Sequence, residues 1–184
     1  MIYPFSLQFV GILVGLFLIL THGAALAAPD LSRSILRVFP RSKAAGAVLL
    51  VISAVWSFWL VQTVDLGEFS RLRNIMLIAI PIGAVLSWFF VDEFLAVRSL
   101  GILALLVADP LLEAAFLRDE NSRLLLVCLA YAWIFAGLFL VGMPYLLRDG
   151  IAWLTANPHR FKNATLAGFV YGALVLASAI TLWH

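Results

Sequence analysis

Polar positions along this chain fall in clusters, and between the clusters lie runs of about twenty residues in which charge is almost absent. Charged or amide groups bunch at 29–43, 62–74, 92–98, 118–123 and 148–163. The intervening runs predict six membrane-spanning helices, over about 5–28, 44–64, 72–91, 94–116, 124–147 and 164–183. Two of the polar clusters have a helical period of their own. In 29–43, Leu31, Ile35, Leu36, Val38 and Phe39 alternate with Arg33, Arg37, Arg41 and Lys43; in 148–163, Ile151, Trp153 and Leu154 alternate with Arg148, Asp149, Arg160 and Lys162. Both read as amphipathic links lying on the membrane surface, with Arg33, Arg37, Arg41, Lys43, Arg160 and Lys162 meeting anionic headgroups. A solvated basic turn that only sets topology is the plainer reading of the same residues.

The expected fold is therefore an all-α integral membrane protein whose six transmembrane helices form three successive hairpins within a single domain, 1–184. Composition agrees. Hydrophobic residues make up 64% and charged residues 12% of 184, with a mean hydropathy of +1.07, against about 25% charged in soluble proteins. A net charge of +2 spread over short links makes no nucleic-acid footprint. The lone cysteine, Cys128, sits in an apolar run and forms no internal disulfide.

The first run ends in Gly23-Ala24-Ala25-Leu26-Ala27-Ala28-Pro29, small residues like those before a signal-peptide cleavage site. Met1 to Gln8 contain no Lys or Arg, however, and a signal normally opens with one, so the run is expected to stay as a span. Within it Gly11 and Gly15 share a Gly-x-x-x-Gly spacing, as do Gly168 and Gly172 in the sixth run, which suits close packing inside the protein, to a second copy or to another membrane protein. A shift of 122 residues superposes Gly15-Leu16-Phe17-Leu18 on Gly137-Leu138-Phe139-Leu140, and Gly46 on Gly168. Two readings stand: duplication of spans one and two as five and six, or coincidence among abundant Gly and Leu.

Lys and Arg distribute unevenly. The links after spans one, three and five carry Arg33, Arg37, Arg41, Lys43, Arg98, Arg148, Arg160 and Lys162, whereas the opposite side carries Arg71, Arg73, Arg118 and Arg123. The bias places both termini on the non-cytoplasmic side of a plasma or inner membrane.

Candidate chemistry concentrates in the fourth run. Asp109 and Glu113 are one helical turn apart, about 10 Å and about 4–5 Å below the non-cytoplasmic end of their span, and carboxylates at such depth suggest function by default. Ser57 and Tyr131 fall near the level of Asp109, and Gln8 and Asn74 near that of Glu113. The candidate ion, proton or polar-cluster site is thus Asp109, Glu113, Tyr131, Ser57 and Asn74. Asp109-Pro110 also resembles a fresh helix start, with Asp as N-cap and Pro in the first turn, which predicts a break there. Arg98 opens the span at its other end, as Lys43 opens the second, and lies about 16 Å from Asp109.

His22 falls more than about 10 Å from Asp109 along the membrane normal, and His159 and His184 are isolated, so no metal centre and no cofactor are expected. Gly-x-Ser-x-Gly, His-Glu-x-x-His, Cys-x-x-Cys and phosphate-loop motifs are missing, leaving enzyme activity unsupported. The expected function is a non-enzymatic structural or accessory component of a membrane assembly. The alternative is a cation- or proton-coupled carrier of a small solute using Asp109 and Glu113; an enzyme acting on lipid through His22 ranks below both.

Overall fold

A computed structural model describes residues 3–91 and 93–183; Asp92 of the short third link and His184 at the tail lie outside the described residues. Among these the chain is all-helical, without strands. Helices α1 (Leu7–Ala27), α3 (Lys43–Thr63), α4 (Arg73–Phe90), α5 (Leu95–Ala115), α6 (Leu124–Gly142) and α8 (Pro158–Thr181) are each long and apolar enough to cross a membrane. Two shorter helices, α2 (Pro29–Val38) and α7 (Tyr145–Ala156), join α1 to α3 and α6 to α8 at one end of the bundle.

Helix boundaries follow from local chemistry. Ser6 and Ser42 cap α1 and α3 by accepting the amides of Phe9 and Ala45. α6 stops at Gly142, short of 147, because Pro144 drives Met143 out of helical geometry (φ −130°, ψ 66°). α8 starts at Pro158, ahead of 164: the Asn157 side chain accepts from the His159 amide while Pro158 occupies the first turn, where its missing N–H is no loss. The expected surface link 148–163 is therefore α7 plus the opening turns of α8. α5 runs unbroken through Pro110, against the break expected at Asp109. Within a helix proline forfeits its own bond to the carbonyl four residues back, a local loss that an apolar environment confines rather than propagates.

The extensive helix interfaces are α1 with α8, α5 with α6, α3 with α5 and α3 with α4. None joins the two spans of an expected hairpin: the pairs are first with sixth, fourth with fifth, second with fourth and second with third span. Glycine determines the closest pairings. A Cβ on Gly15 would lie 2.8 Å from the Leu176 Cβ, and one on Gly172 would lie 2.7 Å from the Leu18 Cβ, so the two Gly-x-x-x-Gly faces are spent on each other. Gly101 and Gly137 do the same for α5 and α6, each Cβ position falling within 3 Å of the other residue's carbonyl oxygen. Trp183, fully buried, covers Gly11 and donates its indole N–H to the Ser122 hydroxyl at 2.7 Å, which ties the tail to the segment before α6. α4 lies outermost; none of its residues is buried, and Ile75, Ile78, Ile82, Val85 and Phe89 face outward.

Several arginines that set the charge bias also close helix ends. The Arg73 guanidinium donates to the Val64 carbonyl after α3 at 2.7 Å, Arg98 to Val141 near the end of α6 at 2.9 Å, and Arg123 to Ala115 at the end of α5 at 2.9 Å. Each supplies donors and positive charge where a helix leaves carbonyls unpaired and its dipole negative.

Candidate functional site

At the end of the bundle opposite α2 and α7, the segment preceding α1 folds down between α3 and α5. Tyr3 is only 6% exposed, and its amide donates to Glu113 Oε2 at 2.9 Å. Its phenol oxygen accepts the Trp56 indole N–H at 2.7 Å. Ring centroids place Tyr3 5.5 Å from Trp59 and stack it 5.9 Å from Phe5. Burial raises the Tyr3 phenol above its ordinary value, and the negative charges of Asp109 and Glu113 push the same way against the Trp56 bond.

Asp109 itself is exposed on the helix surface, while Glu113 lines an open cleft of about 440 Å³ with Tyr3, Phe5, Ser6, Phe116 and Arg118. The remaining candidates lie elsewhere. Tyr131 is 52% exposed on α6, Ser57 is half-buried on α3 and Asn74 is exposed in the first turn of α4. No hydrogen bond or ion pair among the described residues joins these three to the carboxylates. The residues that do gather there, Tyr3 and Trp56, were not among the candidates. Tyr3 precedes the first span and carried no periodic signal.

No family model, curated protein or solved structure matches this chain.

At the α2/α7 end, the headgroup candidates divide. Arg37 is committed to protein: its Nε donates to Thr155 Oγ1 and a terminal nitrogen to the Thr155 carbonyl, both at 2.9 Å, docking α2 on α7. Arg33 pairs with Asp30 at 2.5 Å and lies over the Phe161 ring, 5.9 Å from its centroid. Arg160 stacks on Trp153 at 4.8 Å. Arg41, Lys43 and Lys162 are exposed. On α2 the apolar stripe Leu31, Ile35 and Val38 is also exposed, as a helix lying in the interface requires.

His22 on α1 donates from Nδ1 to the Leu18 carbonyl at 2.8 Å, since a carbonyl only accepts, and its ring lies over Gly168, where a Cβ would meet Nε2 at 2.2 Å. It is a packed, hydrogen-bonded histidine. No group of three His, Cys, Asp or Glu side chains suited to a metal ion lies together among the described residues.

Proposed function

We propose that this is a small polytopic membrane protein that acts as a non-enzymatic structural or accessory component of a membrane assembly, through its helix surfaces. The observation that carries the reading is how Glu113 of the fourth span is employed. It holds the Tyr3 amide, while Trp56 of α3 holds the Tyr3 phenol, so the segment before α1 is anchored against α3 and α5. A carboxylate that fastens a chain segment is a structural part, and the outward apolar face of α4 is ample surface for helix-to-helix contact. Because the two Gly-x-x-x-Gly faces cover each other, a partner or second copy would use another face, such as α4.

The charge bias favours an orientation with α2 and α7 on the cytoplasmic surface and both termini on the other side of a plasma or inner membrane. Duplication of spans one and two as five and six is supported by the sequence match at a shift of 122 residues. The interfaces follow no single exchange pattern, since α1/α8, α4/α3 and α6/α5 join a first to a second helix of different hairpin pairs while α3/α5 joins two second helices.

The reading predicts that gentle extraction yields a complex of fixed stoichiometry with another membrane protein. Free monomer under every mild condition would count against it. A second reading, a proton- or cation-coupled carrier, is favoured by the exposure of Asp109 beside Glu113 and by the open cleft next to Glu113. If Asp109→Asn or Glu113→Gln abolished a solute or proton flux of reconstituted protein while its fold held, the carrier reading would replace the first.

A further inference from the structure

The segment before α1 is held down by a single residue. Of residues 3–6, Tyr3 alone is buried, while Pro4, Phe5 and Ser6 are exposed. The polar contacts of Tyr3 bypass α1: its amide bonds Glu113 of α5, its phenol bonds Trp56 of α3, and its ring lies 5.5 Å from that of Trp59. α1 in turn is seated without Tyr3. Ser6 caps its first turn, Leu7 and Val10 are buried, and α8 and Trp183 close its glycine face. A short segment with one buried anchor, joined to a helix that is held independently, belongs to the low end of the local stability range.

What the anchor covers gives its release a consequence. The cleft of about 440 Å³ has residues 3–6 as one wall and Glu113 in the other. With Tyr3 in place, Glu113 Oε2 and the Trp56 indole N–H both end on that one residue, reaching it from two different helices. With Tyr3 withdrawn, the same acceptor and donor would be left facing the space it vacates, and the cleft would extend inward to Trp56. We infer that Tyr3 is a latch: residues 3–6 lift as a unit while the six spans stay packed, and each lifting uncovers the Glu113 Oε2 and the Trp56 indole together. The fold thereby opens an interior polar pair to the cleft by moving a short strap instead of a helix.

The test follows strap and carboxylate together in the full chain purified in a mild detergent. Protein carrying heavy nitrogen at its four tyrosines reports amide exchange of Tyr3 beside that of Tyr131 in α6 and Tyr171 in α8, with Tyr3 assigned by its loss in Tyr3→Phe. Dicyclohexylcarbodiimide followed by peptide mass spectrometry reports the reactivity of Glu113 beside that of Asp109, which is exposed already. In the wild type the Tyr3 amide should exchange more slowly than an unbonded amide yet faster than those of Tyr131 and Tyr171. Trp56→Phe keeps a ring and removes the donor to the phenol; it should raise Tyr3 exchange and Glu113 labelling together by about two- to tenfold, the worth of one hydrogen bond, and leave Tyr171 and Asp109 unchanged. Tyr3→Phe removes the same bond from the other side and should raise Glu113 labelling by a like factor. Circular dichroism and gel filtration confirm that both variants remain folded. A wild-type Tyr3 amide no faster than that of Tyr171, or as fast as an unbonded one, overturns the proposal. So does a Trp56→Phe protein in which Tyr3 is unchanged, in which Tyr3 and Tyr171 accelerate alike, or in which Tyr3 accelerates while Glu113 labelling stays at the wild-type rate.

Discussion

Substituting alanine for glycine at position 101 or at position 83 should shift stability in opposite directions, although both residues lie inside apolar spans. At Gly101 the new Cβ would sit 2.9 Å from the Gly137 carbonyl oxygen, 2.9 Å from the Leu140 Cβ and 3.0 Å from Val141 Cγ2. Carbon-to-oxygen contacts across helix pairs normally lie at about 3.3–3.6 Å, so the helices must part by roughly half an ångström. Overpacking of this kind costs about 1–3 kcal/mol. Alanine's better helix propensity returns about 0.8–1 kcal/mol, leaving Gly101→Ala destabilised by up to about 2 kcal/mol. At Gly83 nothing lies within 4 Å of the added carbon, so only the propensity gain remains, and Gly83→Ala should be more stable by up to about 1 kcal/mol. Gly137→Ala meets the same wall from the other side, 2.8 Å from the Gly101 carbonyl. One separation of α5 from α6 relieves both clashes, so the double variant should cost less than the sum of the singles. Unfolding in mixed micelles of rising dodecyl sulfate fraction, followed by circular dichroism and tryptophan fluorescence, measures all four proteins. A Gly101→Ala protein more stable than the wild type, or a Gly83→Ala protein less stable than Gly101→Ala, refutes this.

Three further outcomes can be measured the same way. Trp183→Ala removes a fully buried indole that covers Gly11 and should cost about 3–5 kcal/mol, whereas Ser122→Ala leaves the buried indole N–H without its 2.7 Å acceptor and should cost about 1–3 kcal/mol. Arg98→Met takes a charged donor from the Val141 carbonyl near the end of α6 and should cost about 1–2 kcal/mol. The Tyr3 phenol is raised in the folded protein, so above its ordinary value of about 10 the unfolded chain ionises first and stability falls as pH rises; Tyr3→Phe should flatten that alkaline loss while leaving stability between pH 6 and 8 lower by the Trp56 bond alone.

Much of the architecture was legible because hydropathy and charge act locally. Six apolar runs became six long helices, and the alternation of Leu31, Ile35 and Val38 with Arg33 and Arg37 became an amphipathic α2. What went astray was punctuation and pairing. Residues 143–147 read as more of span five because Met, Tyr and Leu are apolar, yet Pro144 constrains its neighbour more strongly than hydropathy favours the helix. Asn157-Pro158 was the missed start signal of α8. At Asp109-Pro110 the same local rule was given too much weight, since a proline within a span need only forfeit one bond. Pairing was illegible for another reason: α1, α3, α6 and α8 are apolar on every side, so burial cannot choose the facing side and backbone proximity at Gly15, Gly101, Gly137 and Gly172 chooses instead. At the site, the shared face of Asp109 and Glu113 was readable from spacing. Tyr3 was not, because its place depends on a fold-back that no periodicity records.

The pairing of α1 with α8 also bears on biogenesis. During synthesis α1 enters the membrane long before α8 exists, and its glycine face must wait, lipid-exposed, while four other spans are inserted. A chain arrested after α6 would retain its α3/α4 and α5/α6 contacts but display Gly11 and Gly15 uncovered. Arrival of α8 then closes that face and brings Trp183 onto Gly11 in one event. Until then the first helix keeps an open glycine groove that no other span in the bundle fills to the same extent.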